Sequence, residues 1–152
     1  MTDEEIIAEI KKYPARQIVL TGGEPSLFCD RDFLCRLFAS TDKRIAIETN
    51  GTHEIDGPID WITLSPKFGM DAGNAEIVLS HADEIKVVDV GQDLGQYIKL
   101  AGELDCHRLY LQPCFVADPV ECQKNLERTV QRVLDDPRWT LSLQTHRLLG
   151  IR

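Results

Sequence analysis

Two adjacent glycines and a glutamate stand directly after a short apolar run near the start of the chain, in the segment Thr21-Gly22-Gly23-Glu24-Pro25. Glycines leave backbone carbonyl and N–H groups open to a ligand, because no side chain covers them. The Glu24 carboxylate accepts from an ammonium group, and Pro25 restricts Glu24 to an extended conformation. The segment predicts a site for a small molecule with an amino group, although a glycine pair alone is also typical of an ordinary strand-to-helix loop.

Composition argues against several kinds of partner. The 152 residues are 43% hydrophobic with a formal net charge of −8 at pH 7, which is ordinary for one globular domain and unsuited to nucleic acid or an anionic membrane. No apolar run reaches the roughly twenty residues of a spanning helix, and the acidic start is unlike a signal peptide. We therefore expect a single domain over residues 1–152 in the cytoplasm, with no nucleic-acid or membrane partner.

The cysteines favour reduced thiols, because their number, five, is odd and they are spread through predicted helices and loops. None of them belongs to a C-x2-C pair, so the spacing predicts no compact zinc or iron–sulfur site. We assign no metal-ligating residue. The cysteines are Cys29, Cys35, Cys106, Cys114 and Cys122.

Apolar patterning predicts strands that alternate with helices along the chain. Six strands are predicted, at residues 17–20, 44–47, 61–64, 84–88, 108–111 and 139–143. Asp3, Asp30 and Asp118 are the expected caps of three helices, and a short helix is expected near residues 76–79. The turn residues expected before it are Gly69, Gly73 and Asn74. The apolar residues expected on buried helix faces are Ile6, Ile7, Ile10, Phe33, Leu34, Leu37, Phe38, Tyr97, Leu100, Ala101, Leu104, Leu126, Val130, Val133 and Leu134.

The alternation predicts an α/β fold with a parallel sheet, since parallel strands need long crossovers and the helices supply them. Right-handed crossovers bring the carboxyl ends of the strands to one edge, where α/β folds bind ligands. Each polar residue expected there is, taken alone, typical of a turn or a surface, whereas together they indicate a small-molecule site. These residues are Thr21, Glu24, Glu48, Thr49, Ser65, Lys67, Gln112, Gln144 and His146.

Several of these segments together resemble the 7-carboxy-7-deazaguanine synthases, radical S-adenosylmethionine enzymes of queuosine and 7-deazapurine biosynthesis. The resemblance implies a partial (βα) barrel and a lyase that contracts the ring of 6-carboxy-5,6,7,8-tetrahydropterin with loss of ammonia. It also implies a 4Fe-4S cluster and Mg²⁺ beside S-adenosylmethionine, an electron donor such as flavodoxin or ferredoxin, and a possible homodimer. The segments are 21–25 (TGGEP), 48–52 (ETNGT), 65–67 (SPK), 111–113 (LQP) and the tail 139–152 with its Gln-Thr-His.

The resemblance also implies the roles of individual residues. The methionine amino group of S-adenosylmethionine would be held by Gly22, Gly23 and Glu24, and the rest of the cofactor would be contacted by Ser65, Lys67 and Gln112. The pterin would be hydrogen-bonded by Thr21, Glu48 and His146, and reached by the terminal carboxylate of Arg152. No catalytic residue is identified.

One part of the family pattern has no counterpart here. The family carries a C-x3-C-x2-C motif after its first strand, and the twenty residues before Thr21 contain no cysteine. The first strand, its cluster loop and the threonine used for Mg²⁺ are thus expected to be missing, which would leave strand 17–20 as an apolar edge prone to self-association. Three explanations stay open: a fragment of a longer protein, a degenerate homologue that only binds, or a split enzyme. The chain alone is expected to be inactive.

Two other functions compete with the radical lyase. One is a non-catalytic module that binds S-adenosylmethionine or a purine-like ligand through the strand ends. The other is a fragment of a radical activating enzyme, whose relatives share Gly-Gly-Glu-Pro and an Asn-Gly strand end but modify a glycyl-radical protein. The Gln-Thr-His tail, residues 144–146, favours the lyase.

Overall fold

The computed structural model describes residues 1–68 and 76–151. The chain divides into two compact units, Met1–Asp83 and the part from Glu84 onward. The expectation of one domain stays a prediction. No helix within the described ranges has the length and apolar character needed to cross a membrane.

The first unit alternates helices and strands around three parallel strands. Strand β1 pairs with β2 and β2 pairs with β3, with Leu20 opposite Ile47 and Thr49 opposite Leu64. The carboxyl ends of the three strands therefore lie side by side. In chain order the elements are α1 (Asp3–Lys11), β1 (Gln17–Leu20), a 3-10 helix (Pro25–Leu27), α2 (Arg31–Thr41), β2 (Arg44–Thr49) and β3 (Trp61–Leu64).

Apolar side chains from both helices and from two strands form the core of this unit, and α1 packs against α2. The N-cap of α2 is Asp30, as predicted, since its carboxylate accepts from the Phe33 N–H at 2.8 Å. The cap expected at Asp3 is wrong by one residue, because Thr2 caps α1 in a capping box with Glu5. The buried core residues are Ile7, Ile18, Phe33, Leu34, Leu37 and Ile45.

Two further expectations in the first unit are wrong. Phe38 lies on the flank of the buried face of α2 and stays 49% exposed. Residues 76–79 form no helix, because they run along the turn after β2, where the Val78 N–H donates to the Gly51 carbonyl at 2.9 Å. The predicted turn residues Gly69, Gly73 and Asn74 lie outside the described residues.

The second unit also contains three parallel strands, in the order β4-β5-β6. Asp118 caps its long helix as predicted, accepting from the Val120 N–H at 2.8 Å. The parallel strands and intervening helices of both units confirm the predicted α/β class. The elements are β4 (Glu84–Asp89), α3 (Gly95–Glu103), β5 (Leu109–Pro113), α4 (Pro119–Asp135), β6 (Trp139–Leu141) and α5 (Thr145–Leu148).

Helix α4 departs from its predicted buried face. Its fully buried positions are Asn125 and Thr129, whereas Leu134 is 72% exposed. The face is polar because it meets polar groups: the Asn125 side-chain amide donates to the Cys114 carbonyl at 3.0 Å, and the Thr129 hydroxyl donates to Asp89 at 2.9 Å. The other predicted residues, Leu126, Val130 and Val133, are half-buried.

Candidate functional site

The glycine pair forms an open backbone segment at the end of β1. Gly22 and Gly23 have φ angles of +93° and +55°, in the left-handed region that glycine adopts most easily. A Cβ atom added to either residue would meet no other atom within 4 Å. The backbone groups of the exposed segment Thr21–Gly23 are therefore accessible to a ligand.

Glu24 turns its carboxylate toward the end of β2. Its backbone is extended before Pro25, as predicted, with φ −125° and ψ 104°. Oε1 accepts from the Thr49 hydroxyl at 2.6 Å and from the Ser26 hydroxyl and N–H at 2.7 and 3.2 Å. Oε2 accepts from the Asn50 N–H at 2.7 Å. The carboxylate thus joins the loop after β1 to the loop after β2.

These hydrogen bonds keep Glu24 ionised. Burial raises the pKa of the Glu24 carboxyl, but donation from Ser26, Thr49 and the Asn50 amide outweighs it, and the pKa lies below its ordinary value. The group therefore carries a full negative charge at neutral pH. That charge lies beside the two accessible glycines.

The end of β2 is held firmly in place. Thr49 is 2% exposed, and its hydroxyl oxygen accepts from the Gly51 N–H at 3.1 Å. Its carbonyl accepts from the Ser65 N–H at 2.7 Å, which brings the residue after β3 beside the end of β2. Gly51 has φ +81°, and a Cβ there would lie 2.5 Å from Leu64 Cδ1. Only glycine fits this turn without displacing the core.

Three more predicted residues lie at the same strand ends. The Lys67 ammonium donates to the Ser65 hydroxyl at 2.9 Å, so a cation and a hydroxyl group adjoin after β3. Glu48 is half-buried in β2, opposite Thr63 of β3. The first unit therefore brings seven predicted residues to the carboxyl ends of β1, β2 and β3. These are Thr21, Gly22, Gly23, Glu24, Glu48, Ser65 and Lys67. Their roles as ligands stay predictions.

The remaining predicted residues belong to the second unit. Gln112 is half-buried in β5, opposite Val88 of β4, and His146 is exposed on α5. Arg152 lies outside the described residues. The chain neighbours of Gln112 and His146 contribute to a largely apolar cavity of about 350 Å³. It is lined by Pro113, Cys114, Phe115, Val116, Ala117, Pro119, Cys122, Gln123, Leu126, Leu143, Gln144 and Arg147.

Sequence reasoning missed a buried charge cluster in the second unit. Asp89, at the end of β4, is completely buried and accepts from Arg132 Nη1 at 2.6 Å and from the Gly91 N–H at 2.9 Å. Arg128 Nη2 donates to the Asp89 carbonyl at 2.8 Å. Burial raises the pKa of Asp89, but these donors and Thr129 outweigh it and lower the pKa below its ordinary value. The sequence signal for this cluster is the four-residue spacing of Arg128 and Arg132, which places both on one face of α4.

The described residues offer no ligand set for a metal. Within 1–68 and 76–151, no group of three or more His, Cys, Asp or Glu side chains is arranged to hold an ion. No disulfide joins any of the five cysteines, all of which lie in these ranges. No three cysteines within these ranges are therefore arranged for the 4Fe-4S cluster that the resemblance implies, and the expected lack of Mg²⁺ ligands stays a prediction.

Comparison with known proteins finds several sequence relatives that have the same name, although no protein-family model matches the chain. It is 46% identical over 152 residues to the 7-carboxy-7-deazaguanine synthase of Bacteroides thetaiotaomicron, covering 100% of this chain and 74% of that protein. The protein of the same name from Haemophilus influenzae is 29% identical over 154 residues, covering 97% and 71%. That from Bradyrhizobium diazoefficiens is 40% identical over 137 residues, covering 90% and 60%.

A solved structure supports the same relationship. The crystal structure of QueE from Escherichia coli matches with a TM-score of 0.72 and 31% sequence identity. The match covers 95% of this chain and 64% of that one, so the chain spans less than two thirds of its structural neighbour. This likeness confirms the predicted α/β partial-barrel class.

Proposed function

The chain belongs to the 7-carboxy-7-deazaguanine synthase family, and from that premise we propose that it forms the cofactor- and substrate-binding part of a radical ring-contracting lyase. The observation that carries the proposal is the accessible, positive-φ glycine pair beside an ionised carboxylate at the end of β1. S-adenosylmethionine, when bound, supplies the 5′-deoxyadenosyl radical that starts the reaction. The substrate is 6-carboxy-5,6,7,8-tetrahydropterin, which loses ammonia as its ring contracts.

The residues of the first unit suit the amino-acid part of S-adenosylmethionine. Backbone carbonyl oxygens at Gly22 and Gly23 accept from its ammonium group, and the negative charge of Glu24 favours a cation nearby. The adjoining hydroxyl of Ser65 and ammonium of Lys67 supply donors for the polar groups of the rest of the cofactor. Gln112 takes the role that family resemblance gives it.

The pterin requires acceptors for its ring N–H groups and donors for its carbonyl and carboxylate. Glu48 supplies an acceptor at the end of β2, and the Thr21 hydroxyl serves as donor or acceptor. His146, on α5 of the second unit, is a further residue that the family resemblance assigns to the pterin. Donors and acceptors that a bound ligand removes from water reject analogues that lack the matching groups.

Turnover needs a cluster for which the described residues have no ligand set. We therefore expect this chain alone to bind S-adenosylmethionine without cleaving it, and a cluster-bearing segment to restore the reaction. An electron donor of the flavodoxin or ferredoxin class, a cytoplasmic location and a homodimer remain predictions.

A chimera tests this function. A segment that carries the family's C-x3-C-x2-C motif is fused ahead of residue 1, and its cluster is reconstituted without oxygen. With S-adenosylmethionine, a reductant and the pterin, mass spectrometry is expected to detect the carboxylated deazaguanine. The matched control is the same chimera with the three motif cysteines changed to alanine, which should give no product.

The outcomes separate the competing functions. A chimera that binds a cluster and S-adenosylmethionine but forms neither product nor 5′-deoxyadenosine would favour the non-catalytic binding module. A chimera that forms 5′-deoxyadenosine and leaves the pterin unchanged would favour a radical activating enzyme. A chain that does not bind S-adenosylmethionine would contradict the proposal at its first step.

A further inference from the structure

The Glu24 carboxylate is largely occupied by protein donors. Oε1 accepts from three groups, the Thr49 hydroxyl and the hydroxyl and N–H of Ser26. A carboxylate oxygen has about two lone-pair directions, so Oε1 has no capacity left for a ligand ammonium. Oε2 already accepts from the Asn50 N–H at 2.7 Å. Glu24 is therefore a structural clamp, which means that its carboxylate binds protein groups and is not available as a direct ligand.

We propose that Glu24 is a positioning residue, which holds the glycine loop against the end of β2 so that the backbone of Gly22 and Gly23, rather than the carboxylate, binds the amino group. The inference rests on the proposed binding of S-adenosylmethionine. It changes the role of Glu24 from direct ligand to support. It also assigns Thr49 and Asn50 to the cofactor site, through Glu24.

The loop needs such a support because glycines are conformationally free. Two successive residues at φ +93° and +55° populate many other conformations unless neighbouring contacts hold them. Among the hydrogen bonds described for Glu24, two reach across to residues 25 and 26 positions later in the chain, Thr49 and Asn50. These two contacts fix the loop relative to β2.

Thr49 is a rigid anchor for this contact. Its side chain is buried, its hydroxyl oxygen accepts from Gly51, and its carbonyl accepts from Ser65. Because Glu48 precedes it and Ser65 is bound to it, Thr49 ties together the strand ends that carry the proposed ligands. A change at Thr49 should therefore reach the cofactor through loop geometry, without altering the charge of Glu24.

Replacing Thr49 distinguishes the two roles. Thr49→Val removes the hydroxyl that donates to Glu24 and accepts from the Gly51 N–H, and it leaves the Glu24 carboxylate charged and less occupied. A direct ligand would then bind the ammonium as well as before or more tightly. A positioning residue would lose its hold on the loop, and affinity would fall. Thr49→Ser keeps the hydroxyl and should rescue binding.

The matched control is Thr41→Val. The Thr41 hydroxyl donates to the Leu37 carbonyl at 2.7 Å within α2, so this variant loses a comparable hydrogen bond away from the glycine loop. Calorimetric titration compares S-adenosylmethionine with 5′-methylthioadenosine, which lacks the amino-acid part. A structural defect of the whole unit would lower the affinity for both ligands, whereas a displaced glycine loop would lower only the affinity for S-adenosylmethionine.

We expect Thr49→Val to lower the affinity for S-adenosylmethionine about tenfold, which is the effect of one well-placed hydrogen bond. The affinity for 5′-methylthioadenosine should not change. Undiminished affinity of this variant for S-adenosylmethionine would overturn the inference. If the unaltered chain does not bind S-adenosylmethionine, the proposed function fails, and amide hydrogen exchange then tests the clamp. Faster exchange at Gly22 and Gly23 in Thr49→Val than in Thr41→Val supports it, and equal rates overturn it.

Discussion

Arg132 Nη1 lies 2.6 Å from Oδ1 of Asp89, a carboxylate with no exposed surface. Arg128 and Thr129 contact the same residue, so three side chains of α4 converge on the end of β4. The inward face of α4 is polar for this reason. The cluster attaches the long helix to the end of β4.

Removing the charge of Asp89 should destabilise the protein strongly. Asp89→Asn leaves two arginines facing a neutral group, and breaking a buried pair costs several kcal/mol. Because Arg132 and Arg128 keep 24% and 34% of their side-chain surface exposed, part of that cost is recovered by hydration. We expect a loss of about 2–4 kcal/mol in the free energy of unfolding, measured by urea denaturation.

The control for this change is Asp56→Asn. Asp56 pairs with Arg31 at 2.6 Å, but both side chains are about two-thirds exposed, at 69% and 67%. Exposed pairs contribute little, so the control should stay within about 0.5 kcal/mol of the unaltered chain. Equal losses in the two variants would show that the buried cluster contributes no special stability.

Stability should depend on pH through the same carboxylate. The pKa of Asp89 is lowered in the folded state, so its contribution is present above the unfolded pKa of about 3.9 and is lost as pH falls through the folded pKa. The difference in unfolding free energy between the unaltered chain and Asp89→Asn should therefore shrink below about pH 4. Urea denaturation between pH 7 and pH 3 measures it, and a difference independent of pH would contradict the assignment.

Replacing Gly51 should be harmful, because the residue combines a positive φ angle with a close approach to the core. Gly51→Ala places a side chain at φ +81° and within 2.5 Å of the buried Leu64, which we expect to cost about 2–4 kcal/mol. Gly102→Ala is the control, because Gly102 lies in α3 with nothing within 4 Å of the added Cβ. The control should be more stable than the unaltered chain by about 0.5–1 kcal/mol. Thermal unfolding of both variants checks the opposite signs.

The thiol of Cys29 should react slowly. Burial raises its pKa, and the charges of Asp30, Asp3 and Glu24 raise it further. Alkylation by iodoacetamide at pH 8 should therefore modify the exposed Cys35 well before Cys29, as followed by peptide mass spectrometry.

Asp30→Asn separates charge from burial at this thiol. Asparagine caps a helix as well as aspartate does, so α2 keeps its cap while one negative charge near Cys29 is removed. Alkylation of Cys29 should become faster. Asp32→Asn, in the first turn of α2, is the matched control, and identical rates in the two variants would exclude the charge effect.

Local patterns were sufficient to predict much of the fold. The strand 61–64 and the caps at Asp30 and Asp118 match the structure, because apolar runs and capping residues act over a few neighbouring positions. The predicted buried face of α4 is wrong at Leu134. The burial of Thr129 was not predicted, because it depends on Asp89, 40 positions earlier in the chain. Hydrophobic periodicity contains no information on a polar partner in another element.

The candidate site shows the same limit. The strand-end position of the glycine pair, of Glu48 and of Ser65 follows from strand pattern alone. The direction of the Glu24 carboxylate does not, since it depends on the pairing of β1 with β2, which brings Thr49 and Asn50 within reach. Sequence spacing indicates which residues gather at an edge, and tertiary contacts decide which of their atoms remain available.

The glycine loop is proposed to bind the amino-acid part of S-adenosylmethionine. The direct measurement is a titration of the ¹⁵N-labelled chain, with the amide resonances of Gly22 and Gly23 followed by NMR. Saturating S-adenosylmethionine should shift both resonances, and 5′-methylthioadenosine should shift neither. Unchanged Gly22 and Gly23 resonances at saturating S-adenosylmethionine would contradict the proposal.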